Sequence, residues 1–284
     1  MIRGLLIVWF WTLVNAENWA VLVNSSQYWY DYRHSSNLLS MYQTLRGQGF
    51  KASNIIVMNA AAHVCDARNV FLGHQYALPD HKVNLNKGVP TDYRGKQVGV
   101  QQVLDVLRNR HDGAVPNSKR LLGDARSKIV LYLTGHGGNG FLKFRDRELL
   151  FAEQLAAVID EMYLKSRYST MLILSDTCQA ETLVDRIRAP NVYTFASSRR
   201  GESSYSLIND SDLGVALIDE FSYALAWLLA QPNGSSRSMS QLASDCGDAV
   251  ELSTPVLRGP TQDILMSDFF SQASQPILMD DLIV

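Results

Sequence analysis

An α/β layer fold built on parallel strands is what these 284 residues predict. Short apolar runs recur at residues 19–24, 55–58, 129–133, 171–174 and 192–196, and their near-continuity suits strands buried on both faces. Helix-length segments separate them, as crossover connections between parallel strands require. Two of the runs, 129–133 and 171–174, each deliver a reactive side chain just past a carboxyl end, His136 and Cys178. Parallel sheets gather their reactive groups at that edge.

Composition narrows the class. Apolar residues make up 46% of the chain and charged residues 19%, as in a globular protein, and a net charge of −2 gives no purchase on nucleic acid. The N-terminus carries Arg3, an apolar stretch over 5–14 and the small-residue end Val14-Asn15-Ala16. That pattern reads as a secretory signal over residues 1–16, cut after Ala16, because the stretch is too short to span a bilayer comfortably. Residues 17–284 read as one domain, less regular after about 232. Acceptor sequons at Asn24, Asn209 and Asn233 fit a secretory route, with Asn24 too near the expected site to be an easy target. Three cysteines, Cys65, Cys178 and Cys246, cannot make a disulfide framework, and Cys246 reads as a buried free thiol.

In chain order, residues 19–24 form the first strand, 28–34 a loop, and 35–46 a helix closed by Gly47. Residues 55–58 form the second strand. Residues 59–96 are rich in Asn, Gly, Pro and His and read as one long loop, a feature that in compact domains is functional or mobile. Helical spacing returns at 98–110, and 119–128 is a basic connector. After the strand at 129–133, residues 141–147 suit a hairpin. Residues 150–163 form an amphipathic helix with Leu150, Leu155, Val158, Ile159 and Met162 near one face. Residues 180–187 are helical, 192–196 the fifth strand, and 213–229 a second strong helix ended by Pro232 and Gly234. The polar run 233–240 reads as a linker-like loop and 261–269 as a late edge strand.

A lone Cys after an apolar strand is ordinarily a small buried hydrophobe, and a lone His is ordinarily structural. The pair carries more. Gly137, Gly138 and Gly140 around His136 leave the backbone open to a substrate, and the neighbours of Cys178 (Ser175, Asp176, Thr177, Gln179) are polar. A thiol beside an imidazole is the minimum for a cysteine nucleophile with its own base. Backbone N–H groups at Gly137 and Cys178 are placed to receive an oxyanion.

The runs Thr134-Gly-His-Gly-Gly-Asn-Gly-Phe-Leu-Lys-Phe144 and Asp176-Thr-Cys-Gln-Ala180 closely resemble the catalytic subunits of GPI-anchor transamidases, relatives of legumain among the caspase-like cysteine peptidases. The resemblance covers residues 18 to about 270. It implies a caspase-like three-layer sandwich, with a mostly parallel sheet of about six strands between helices. It implies Cys178 as nucleophile and His136 as base. Legumain-like enzymes orient the base with an Asn in an Asn-Tyr-Arg-His motif, and here the motif is Asp31-Tyr32-Arg33-His34, so Asp31 takes that place. Arg33 and Asp176 match legumain pocket positions, and Ser197, Ser198, Glu202 and Ser203 the family's substrate-lining loop. Cys65 matches a cysteine that bonds a large lumenal partner subunit. Some family members bind calcium, but the matching positions here are Asp92, Ala52 and Pro90, so neither metal nor cofactor is expected.

The expected activity is cleavage of a precursor's C-terminal GPI-attachment signal through a thioester on Cys178, and transfer of the new terminus to the ethanolamine amine of a preassembled GPI glycolipid. The implied partners are the other transamidase subunits, the precursors and the glycolipid. The implied place is the lumen of the endoplasmic reticulum, with membrane contact through partners. A free-standing legumain-like asparaginyl endopeptidase is the alternative, and a catalytically silent scaffold of the same shape is the third reading.

Overall fold

The computed structural model describes residues 17–231 and 233–270; the signal-peptide expectation lies outside them. The chain runs β1 (Asn18–Asn24), α1 (Tyr32–Gly47), β2 (Ile55–Asn59), β3 (Tyr93–Arg94), α2 (Val100–Arg108), β4 (Lys128–Thr134), β5 (Gly137–Gly138), β6 (Phe141–Phe144), β7 (Glu148–Phe151) and α3 (Ala152–Leu164). It continues through β8 (Thr170–Asp176), α4 (Ala180–Val184), β9 (Val192–Ala196), β10 (Ser206–Asp210), β11 (Val215–Asp219), α5 (Glu220–Ala230), α6 (Met239–Ala249) and β12 (Val256–Arg258).

Seven strands, where about six were expected, form the main sheet in the order β12-β9-β8-β4-β1-β2-β3. All are parallel except the edge strand β12, which runs against β9. From β1 the chain first winds outward through β2 and β3, then crosses to the other side of β1 to build β4, β8 and β9. The order therefore reverses between β1 and β4, and the crevice at such a reversal is where open α/β sheets bind ligands. Asn24, Thr134 and Asp176 stand in one register row at the carboxyl ends of β1, β4 and β8.

The central strands are apolar throughout because both faces are covered. Val21, Leu131 and Ile173 point into one core with α2, α3 and α4, whereas Leu22, Tyr132 and Leu172 point into a second core with α1, α5 and α6. Truncating such a side chain, Ile173→Ala for instance, costs about 2–5 kcal/mol. The small sheet β5-β6-β7 belongs to the first face, with Leu142, Phe144 and Leu150 in its core. The hairpin β10-β11 lies against α1 and α5 on the second face.

Several expectations need correction. The run at 213–229 is a strand followed by a helix: residues 215–219 pair antiparallel with 206–210, and α5 begins at Glu220. A short apolar run looks the same as a buried strand or as the start of a helix. The late edge strand lies at 256–258, and residues 266–268 make a 3-10 turn. The run 233–240 includes the start of α6, with the Ser238 hydroxyl accepting the Gln241 N–H. The long connection after β2 is irregular as expected, and buried Gln75 ties it to α1 through bonds of 3.1 Å to the Ser35 hydroxyl and the Tyr32 carbonyl. Asn24 is fully buried and bonded to Asn59, so its sequon is closed to a glycan. Among the described residues, no helix is long and apolar enough to cross a membrane.

Candidate active site

His136 and Cys178 each stand two positions past the register row that ends β4 and β8, so the sheet presents imidazole and thiol from adjacent strands. Gly137 fixes how close the two loops come. A β-carbon on Gly137 would lie 2.4 Å from Thr177 Oγ1 and 2.8 Å from the Phe141 carbonyl, so no other residue fits. Cys178 is half-buried, unpaired, and followed by Gln179 in the left-handed region at φ 53°, which turns the chain sharply into α4.

Asp31 comes from the loop after β1. Its carboxylate Oδ1 accepts from His136 Nε2 at 2.7 Å, and the group is 1% exposed. With Nε2–H spent on Asp31, Nδ1 is the nitrogen left with a lone pair for a thiol proton. His34, one helical turn on, meets the His136 ring in a T-shaped contact with centroids 4.9 Å apart. Its own Nδ1 bonds the Ser26 hydroxyl at 2.8 Å. Burial pushes the His34 pKa well below the imidazole norm, with the Arg33 charge adding to it, so His34 is a neutral wall for the base.

Thr182 joins the two catalytic loops. Its hydroxyl accepts the Gly140 N–H at 2.7 Å and donates to the Gln179 carbonyl at 2.7 Å. Arg200 adds an outer strap, bonding Asn139 at 2.7 Å and Asp185 at 3.1 Å. Ser197 and Ser198 are fully buried. Both hydroxyls reach the Thr177 carbonyl, at 3.2 and 2.8 Å, so they hold the turn that carries Cys178. Glu202 is occupied by the Thr254 hydroxyl and N–H at 3.0 and 2.9 Å, and Ser203 is half-buried beside it.

A buried charge cluster lies on the α1–α5 side. Arg33 Nε stands 3.0 Å from Asp219 Oδ1, and Asn37 clamps Asp219 through bonds of 2.6 and 2.9 Å. Asp176 accepts from Ser204 at 2.7 Å and from Ser222 at 2.5 Å. Burial raises the pKa of both acids, and the Asp176 charge raises Asp219 further, with Arg33 pulling the other way. Sequence patterns did not single out Asp219, His34, Ser26 or Thr182. Asp219 was hidden inside a run that looks helical, and His34 stood in the Asp31-to-His34 motif unassigned.

Cys65 is exposed and unpaired within the chain. Cys246 is fully buried, and burial pushes its pKa up to about 12. Among the described residues, two groups bring three ligand atoms within 4.8 Å of one another, Asp31–His34–His136 and His81–Asp210–Asp212. In each, a His Nε2 is already bonded to an Asp, at 2.7 and 2.8 Å. Ala52 and Pro90 carry no carboxylate, and Asp92 Oδ2 accepts the Val57 N–H at 2.9 Å, so those three positions do not suit calcium.

The family model described as "Peptidase C13 family" matches residues 18–254. The "GPI-anchor transamidase" of Saccharomyces cerevisiae is 38% identical over 274 residues, 94% of this chain and 66% of the yeast protein. That of Schizosaccharomyces pombe is 39% identical over 264 residues, 90% of this chain and 70% of the relative. The chain thus spans about two thirds of the length of these relatives. Among solved structures, caspase-1 from Spodoptera frugiperda superposes with a TM-score of 0.54 at 12% identity, covering 88% of this chain and 90% of the caspase, which establishes the caspase-like fold. With a matching model over most of its length and relatives at this level of identity, the chain belongs to the peptidase C13 family of cysteine peptidases.

Proposed function

We propose that this chain is the catalytic subunit of a GPI-anchor transamidase, acting in the lumen of the endoplasmic reticulum. The observation that supports the chemistry is the Asp31–His136 pair at the strand-order reversal between β1 and β4, with Cys178 two positions past the end of the adjacent strand β8. The likeness to proteins of that name supports the choice of acceptor.

The thiol proton of Cys178 passes to His136 Nδ1, and the thiolate attacks the carbonyl of a small residue near the precursor's C-terminus. Backbone N–H groups of Gly137 and Cys178 receive the oxyanion; losing one such donor costs on the order of 10²–10³ in rate. His136 returns the proton to the leaving amine, and the hydrophobic signal peptide departs. A thioester remains. The ethanolamine amine of a GPI glycolipid then attacks it, gives its proton to His136, and displaces the Cys178 thiolate. Arg33, Asp176 and Asp219 form the wall on the acyl side, Glu202 and Ser203 its outer lip, and Ser197 and Ser198 fix the nucleophile from below. Cys65 forms a disulfide to a partner subunit, which together with others holds the chain at the membrane.

A free-standing asparaginyl endopeptidase would use the same residues with water as acceptor. Short Asn-containing peptides separate the two readings. The transamidase reading predicts that the isolated chain leaves them intact, while the assembled enzyme processes a reporter bearing a GPI signal. Rapid cleavage of such peptides by the isolated chain would favour the endopeptidase.

A further inference from the structure

On the face opposite the Arg33–Asp176–Asp219 cluster lies an open cavity of about 360 Å³ that His136 and Gly137 share with five residues to which the chemistry above gives no role. Tyr30, Phe141 and Leu149 give it apolar walls, and Lys143 and Asp146 give it an ion pair, Nζ to Oδ1 at 2.5 Å. Tyr30 is 57% exposed and stacks on Tyr28 with ring centroids 5.4 Å apart.

The fold decides which part of a substrate can reach this cavity. The small sheet β5-β6-β7 packs on the α2–α3 face of the main sheet, and the hairpin β10-β11 on the α1–α5 face. A substrate crossing the carboxyl edge between β4 and β8 therefore has one side over each face. The acyl side belongs to the cluster of Arg33, Asp176 and Asp219. The amine side must lie towards His136, because His136 hands its proton to the departing nitrogen and takes it from the arriving one.

We infer that this cavity is the amine-side subsite, and that Lys143 binds the phosphodiester next to the acceptor amine. The inference rests on the transamidase reading and adds the residue that selects the acceptor. Lys143, on β6, is tied to the base's loop: its N–H bonds the His136 carbonyl at 2.7 Å, and its carbonyl takes the Ser25 hydroxyl at 2.8 Å. The Phe141 ring lies against Gly138, where a β-carbon would meet it at 2.7 Å, so the apolar wall adjoins the glycines around the base. The turn that offers Asp146 is shaped by Arg145 and Asp146, consecutive residues at φ 49° and 57°, and closed by the Arg147 N–H on the Phe144 carbonyl at 2.9 Å. Buried Arg145 fixes it by bonding the Val98 carbonyl at 3.0 Å and Glu148 at 2.8 Å. Asp146 thus acts as a counter-ion that a phosphodiester displaces, and an ion pair this exposed is weak enough to be exchanged. In deacylation the amine nitrogen forms its bond to the thioester carbon as the carbon–sulfur bond breaks. Its proton goes to His136, and the electron pair leaves on Cys178 sulfur.

The test uses the detergent-solubilised enzyme complex, a reporter with a GPI signal, and two competing amines: hydrazine and glycerophosphoethanolamine, which carries the phosphodiester. The readout is the ratio of the two amide products. Lys143→Met should lower the phosphodiester-to-hydrazide ratio about tenfold at low salt. Asp146→Asn, which frees Lys143, should raise it at least about twofold, and decides the matter alone if Lys143→Met does not fold. Ratios unchanged in both variants, or a wild type that makes hydrazide but never the phosphodiester amide, would overturn the subsite and leave the transamidase reading standing. A wild type that makes only a free carboxyl end would overturn the transamidase reading, and the subsite with it.

Discussion

Asp31 Oδ1 and His136 Nε2 meet at 2.7 Å across 105 residues of chain, in a pocket where the carboxylate is 1% exposed and the imidazole side chain 35% exposed. A carboxylate here accepts the imidazole N–H as an amide carbonyl would, and it also stabilises the imidazolium that forms when Cys178 gives up its proton. Asp31→Asn should keep transfer activity within about tenfold, since the amide can still accept. Asp31→Ala should lose about 10² or more, the scale of a positioned base. The check is the initial rate of reporter processing; equal rates in all three proteins would remove Asp31 from the site.

Thr182 makes a second prediction. Its hydroxyl serves both catalytic loops, so Thr182→Val leaves the Gly140 N–H and the Gln179 carbonyl without that partner. The cost to stability should be about 1–3 kcal/mol, and alkylation of Cys178 should slow, while Thr182→Ser should restore both. Thermal melts and iodoacetamide kinetics read the two effects separately.

Asp176 and Asp219 tie stability to pH. Burial raises both carboxyl pKa values, so the folded chain holds protons that the unfolded chain releases above about pH 4. Their contribution to stability is therefore greatest at low pH and falls as pH rises through the folded-state values. Asp219→Asn removes one of the two acids, so its melting temperature should fall less than that of the wild type between pH 4.5 and 7.5 (roughly the range between the two titrations). Parallel melting curves across that range would contradict the raised values.

Much of this was legible in the sequence. Continuous apolar runs marked the five long parallel strands, and glycines bracketing a histidine marked the His136 loop. What the sequence hid is tertiary. The residues 215–219 look like the start of a helix, because nothing local records that 206–210 will pair with them. That pairing brings Asp219 to Arg33, a contact between residues far apart in the chain. Ser197 and Ser198 read as lining residues, but their hydroxyls face inward to the Thr177 carbonyl. No alternation pattern distinguishes a serine that holds a turn from one that touches a ligand.

Cys65 is exposed on the long loop with no partner in its own chain. In membranes isolated with free thiols blocked, a non-reducing gel should show this chain in a larger covalent species that Cys65→Ser abolishes. An unchanged band pattern would refute the intersubunit bond.

The most direct test of the central claim compares the wild type with Cys178→Ala in microsomes lacking the endogenous subunit, using a GPI-signal reporter with hydrazine as substitute amine. The account predicts that the wild type alone gives the reporter a GPI or hydrazide end. Equal processing by both forms would contradict it, because the nucleophile would then be some residue other than Cys178.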